Sequence, residues 1–125
     1  MNWLLDSPRA WRAVGWCGVF AICVLSLSPP SRLLTEAPRH ADKLYHLFAY
    51  ASVAWWLALG YPRGRIPALA LALVLIGAGI EVLQGFTGTR ASSAWDALAN
   101  TLGVILGCSL VARTPAGFPA FRRAQ

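Results

Sequence analysis

A chain of 125 residues that is 57% hydrophobic and only 13% charged lies well below the ~25% charged residues of an ordinary soluble domain. Its net charge of +6 fits a membrane topology facing anionic headgroups, and no basic helix with interleaved aromatics supports a nucleic-acid partner. The expected fold class is all-α: a single domain over residues 1–125, an integral membrane bundle of four transmembrane helices.

The first predicted helix runs from about Trp11 to Ser28, with Arg12 near its end placed to snorkel. A cleaved signal peptide is the competing reading of this stretch. Pro29 directly after Ser26-Leu27-Ser28 blocks cleavage, and neither Cys17 nor Cys23 follows the small residue expected before a lipidated cysteine, so an uncleaved helix is expected. Pro29, Pro30 and Pro38 make the next loop stiff and non-helical. The second helix runs from about Leu44 to Tyr61, the third from about Ile66 to Phe86 and the fourth from about Ala94 to Ala112. Each approaches the roughly 20 residues that cross a ~30 Å hydrocarbon core. Pro62 and Pro67 bracket the turn between the second and third, and the tail from Arg113 to Gln125 is basic.

Basic residues set the orientation. Seven (Arg9, Arg12, Arg63, Arg65, Arg113, Arg122, Arg123) flank one side and four (Arg32, Arg39, Lys43, Arg90) the other. This predicts a multi-pass protein of the cell (cytoplasmic) membrane with both termini cytoplasmic. The polar residues then gather near the outer face. His46 falls at the surface, with Tyr50 about two turns inside the second helix; Glu81 lies about five residues inside the third, with Gln84 near its end; Asp96 falls at the rim and Asn100 one turn deeper.

Asp42, His46 and Tyr50 are at i, i+4 and i+8, Glu81 and Gln84 at i, i+3, and Asp96, Asn100, Gly103 and Gly107 at i, i+4, i+7 and i+11. Each set makes one helical stripe. Gly103-x-x-x-Gly107 predicts close packing of the fourth helix on a neighbour, with Gly77 and Gly79 of the third as the matching surface. Taken together, Asp42-Lys43-x-x-His46-x-x-x-Tyr50, Glu81-x-x-Gln84-x-Phe86 and Arg90-x-x-Ser93-x-x-Asp96-x-x-x-Asn100-x-x-Gly103-x-x-x-Gly107 resemble the pattern of the VanZ-like family over residues 41–110. The stretch from Gly85 to Thr89 departs from it, lacking a proline expected before the arginine. The family's namesake is associated with low-level resistance to the glycopeptide teicoplanin, so the resemblance names a family better than a reaction.

The candidate cluster is therefore Asp42, Lys43, His46, Tyr50, Glu81, Gln84, Arg90, Ser93, Asp96 and Asn100, with Arg90 as the bidentate partner of Glu81. Three readings follow. The cluster recognises a cell-envelope component (a lipid or glycan) or an amphiphilic glycopeptide-type antibiotic. Or it is an enzyme site for a lipid-linked envelope precursor, with Glu81 and Asp96 as acid/base pair and His46 as a third candidate. Or it is a structural ion-pair network in a small assembly factor. No cofactor is expected. As a metal ligand His46 is a poor prospect from sequence: it stands beside Asp42 without a second histidine in the core set, His40 lying in the loop. Cys17, Cys23 and Cys108 lie in apolar runs without C-x-x-C spacing and read as small packing residues. Trp55, Trp56 and Tyr61 read as anchors at the inner interface.

Overall fold

The computed structural model describes residues 7–30, 36, 38–88 and 91–113, and among these it forms four helices and no strand. The chain is an all-α bundle. Helix α1, Pro8–Leu27, starts with Pro8 in its first turn and with Ser7 as cap, whose Oγ accepts from the Ala10 amide at 3.3 Å. A proline at that position loses no helical hydrogen bond. Pro29 ends the helix, because the residue before a proline is pushed out of helical geometry.

Helix α2, Arg39–Leu59, begins more than a turn earlier than the expected Leu44. The Pro38 carbonyl accepts from the Ala41 amide at 2.8 Å to start it. Hydropathy marks where a helix becomes apolar and not where it starts. Arg39, Asp42 and Lys43 interrupt the apolar pattern without interrupting the backbone, and Asp42 suits the positive end of the helix dipole. A short 3-10 turn, Arg63–Arg65, leads into α3, Ile66–Thr87, whose first turn holds Pro67. Gly88 closes α3 at φ 65°, a left-handed conformation that glycine adopts without a Cβ clash. Helix α4, Ala94–Arg113, starts from the Ser93 carbonyl, which accepts from the Asp96 and Ala97 amides at 3.0 and 3.2 Å. The basic tail after Arg113 lies outside the described residues.

Helices α2 and α4 run in the same direction and make the closest contact in the bundle. A Cβ at Gly103 would collide with the Leu47 carbonyl oxygen and lie 3.0 Å from the Ala51 nitrogen; one at Gly107 would collide with the Ala51 carbonyl oxygen and lie 2.8 Å from the Trp55 nitrogen. The small-residue stripe thus meets α2, not α3 as expected. Gly79 faces open space, and Gly77 instead makes room for the Tyr50 ring, 3.2 Å from where its Cβ would be. The core joins Tyr50, Ala54 and Leu57 of α2 to Leu69 and Leu73 of α3 and Val104 and Cys108 of α4. Cys17, expected as a packing residue, is exposed.

One end of the bundle is held by aromatic residues. Trp11 and Trp56 stack at 3.9 Å between centroids, 3° from parallel. Each indole N–H donates to the other residue's carbonyl, at 2.8 and 3.0 Å. Arg12 Nε donates to the Gly60 carbonyl at 2.5 Å and its guanidinium lies 4.5 Å above the Tyr61 ring. Trp16 Nε1 donates to Tyr61 Oη at 3.0 Å. Arg12, Trp56 and Tyr61 therefore tie α1 to α2, where snorkelling and interface anchoring were expected; Trp55 alone of this group faces outward.

α1, Arg63–Thr87 and α4 are long and apolar enough to cross a membrane. Phe20, Phe48, Leu71, Leu75, Phe86, Trp95 and Ile105 point outward. A soluble bundle would present polar groups there; this exterior suits lipid. α2 falls short of the apolar standard because Arg39, His40, Asp42, Lys43 and His46 crowd its first turns.

Candidate functional site

At the other end α1 and α3 finish while α2 and α4 begin, and four elements deliver polar groups to one place. Because α2 starts at Arg39, an extra turn of helix stands above His46. The ring is buried. Asp96 is likewise buried. Nδ1 of His46 lies 2.9 Å from Asn100 Oδ1. A carbonyl oxygen only accepts, so in this arrangement Nδ1 is the donor and Nε2 is left for another partner. That nitrogen lies 3.9 Å from Asp42 Oδ1. Lys43 Nζ is 3.8 Å from Asp96 Oδ1, its side chain reaching in from a largely solvated position.

Glu81 comes from α3. It is only 4% exposed. Its Oε2 accepts from the Ser93 amide at 3.4 Å, joining α3 to the start of α4. Asp96, His46 and Asp42 all lie within its electrostatic reach. Tyr50 is buried beneath this group, with Gly77 and Asn100 against the space beside its ring. Gln84 points elsewhere: its Nε2 donates to the Ser26 carbonyl at 2.6 Å and ties α3 to α1. Of the residues expected from sequence, Asp42, Lys43, His46, Glu81, Ser93, Asp96 and Asn100 are thus brought together, Tyr50 lies below them, and Gln84 serves a helix contact. Arg90 and its expected pairing with Glu81 lie outside the described residues.

Among the described residues, four buried side-chain atoms have no hydrogen-bond partner: Tyr50 Oη, Glu81 Oε1, Asp96 Oδ1 and Asn100 Nδ2. Each such atom costs about 1–3 kcal/mol, and more for a charged group. They belong to one cluster, and proteins leave few buried polar groups unmatched. Beside the cluster a cavity of about 330 Å³ opens between α1 and α2. Its apolar wall is Ile22, Leu25 and Pro29 on one side and Tyr45 and Ala49 on the other; Asp42, His46 and Tyr50 form its polar part. The contribution of α1, including Ser26, was missed from sequence. The signal available was a serine pair, Ser26 and Ser28, closing an otherwise apolar helix.

The fold also alters the reading of His46. Asp42 and His46 alone made a poor ligand set; α4 adds Asp96, and one ligand atom from each lies within 4.8 Å of the others. The arrangement offers hydrogen-bond acceptors, a charged donor at the edge and an apolar vestibule, which together match a molecule with a polar head and an apolar tail. No family model, curated protein or solved structure matches the chain.

Proposed function

We propose that this chain is a VanZ-like protein of the cytoplasmic membrane that binds the polar headgroup of an envelope amphiphile at its outer face. This reading takes all four helices as passes. It is supported by the Gln84–Ser26 hydrogen bond, which brings the ends of α1 and α3 together with α2 running back between them. The bias of the basic flanks favours termini inside and the polar cluster outside.

The observation that carries the reading is the joining of an apolar cavity to a buried cluster with unmatched polar atoms. A cavity of about 330 Å³ is at the small end of the ~300–1,000 Å³ range of ligand pockets. It suits a headgroup and the first methylenes of a tail. A whole glycopeptide antibiotic is too large for it, so a link to such an antibiotic would run through the envelope lipid and not through direct capture.

Native mass spectrometry of protein released from its own membranes in mild detergent tests this. A bound amphiphile is expected on the wild type and absent from Ala49→Trp, which fills the cavity, at an unchanged melting temperature. Equal retention by both, or none by either, overturns the proposal. A second reading has its own support: two carboxylates with unpartnered oxygens, Glu81 and Asp96, share the cluster with an imidazole. Acid/base chemistry on the bound molecule predicts that Glu81→Gln retains the ligand but stops turnover.

A further inference from the structure

Asp42 and His46 follow each other on one face of α2, and Asp96 arrives from the first turn of α4. We propose that Asp42, His46 and Asp96 hold a divalent transition-metal ion, Mn2+ or Zn2+, with its remaining coordination positions turned toward the cavity between α1 and α2.

The histidine is already set as a metal ligand. Asn100 Oδ1 accepts a hydrogen bond from Nδ1, which leaves Nε2 facing the Asp42 carboxylate. Ligating histidines regularly donate their other N–H to such an oxygen, which fixes both tautomer and ring orientation. Asp96 is 6% exposed, and its Oδ1 has no hydrogen bond; Lys43 at 3.8 Å attracts it but is too distant to donate to it.

Glu81 gives a second, separate indication. It is outside the set of three, yet it is 96% buried by its 4% exposure and its Oε1 is unpartnered among the described residues. Buried polar atoms are rarely left unmatched, and a bound ion is one way of matching them.

The donor set selects the ion. Ca2+ and Mg2+ favour all-oxygen sites, whereas an imidazole among carboxylates suits Mn2+ and Zn2+. Two ligands at roughly 2.0–2.2 Å from one ion stand up to about 4.4 Å apart across it, so the 3.9 Å between Nε2 and Asp42 Oδ1 leaves room for an ion between them. Asp42 and His46 also line the cavity. An anionic oxygen entering from that side, such as a headgroup phosphate, would complete the coordination. The ion does not depend on the amphiphile, and each can be present without the other.

Titration of delipidated, folded protein with Mn2+ in detergent, followed by electron paramagnetic resonance, tests the site. One Mn2+ per chain is expected, with a nitrogen coupling from the His46 ring and displacement by Zn2+. Asp96→Asn and His46→Gln are expected to abolish stoichiometric binding, the latter also removing the nitrogen coupling. Asn100→Ala, which keeps every ligand, is expected to weaken binding about 10- to 100-fold, as loss of an orienting partner does. Absence of stoichiometric Mn2+ and Zn2+ binding to the wild type overturns the proposal whatever the variants do. So does a nitrogen coupling that survives in His46→Gln. Retention of an amphiphile after chelation would leave the headgroup reading standing while the ion fails.

Discussion

The two ends of the α1–α2 pair handle polar groups in opposite ways. At the Trp11–Trp56 end the indole N–H groups, Arg12 Nε and Tyr61 Oη all meet partners within 3.0 Å, and the rings stack. At the His46 end, where α3 and α4 join the pair, four buried atoms have none among the described residues. Both ends belong to one bundle, so a general shortage of partners does not explain the difference. A matched set holds helices together. An unmatched set held in a rigid frame is ready to receive something.

The sharpest way to break this comparison is to remove the frame that both ends share. Gly103→Leu or Gly107→Leu forces α4 off the α2 backbone. A loss beyond about 3 kcal/mol, the upper end of ordinary overpacking, is expected, seen as little folded protein in detergent. Unchanged melting would mean that the two backbones do not touch. Next comes the matched end. Trp56→Ala removes the stack and the hydrogen bond from its indole N–H to the Trp11 carbonyl, and a loss of about 3–5 kcal/mol is expected from its thermal midpoint. Smallest is the unmatched end. Glu81→Gln keeps the shape and replaces a buried carboxyl by an amide, and its effect on melting is expected within about 1 kcal/mol of zero, on either side. A loss as large as that of Trp56→Ala would make the polar cluster a structural network like the other end.

The number and order of helices can be read from the sequence because lipid-facing helices are long apolar runs. The bounds of α3 and α4 follow closely for the same reason. The start of α2 cannot be read this way, since Arg39, Asp42 and Lys43 are helical and charged together. The i, i+4 spacing is enough to put Asp42, His46 and Tyr50 on one face. It does not show that Asn100 orients His46 or that Asp96 joins Asp42, because those pairings depend on how α4 seats against α2. Gly103 and Gly107 announce a close approach but not its partner. The Trp11–Trp56 clamp depends on the antiparallel register of α1 and α2, which no single helix encodes. The cavity is harder still, being defined by the space side chains do not fill.

The closest helix contact, between α2 and α4, joins segments separated by the whole of α3. During synthesis, at about 5–20 residues per second, α2 is made seconds before α4 exists. For that interval His46 has no Asn100 to bond and the small-residue groove has nothing opposite. The tightest backbone contact of the bundle therefore forms only once the last helix has been made.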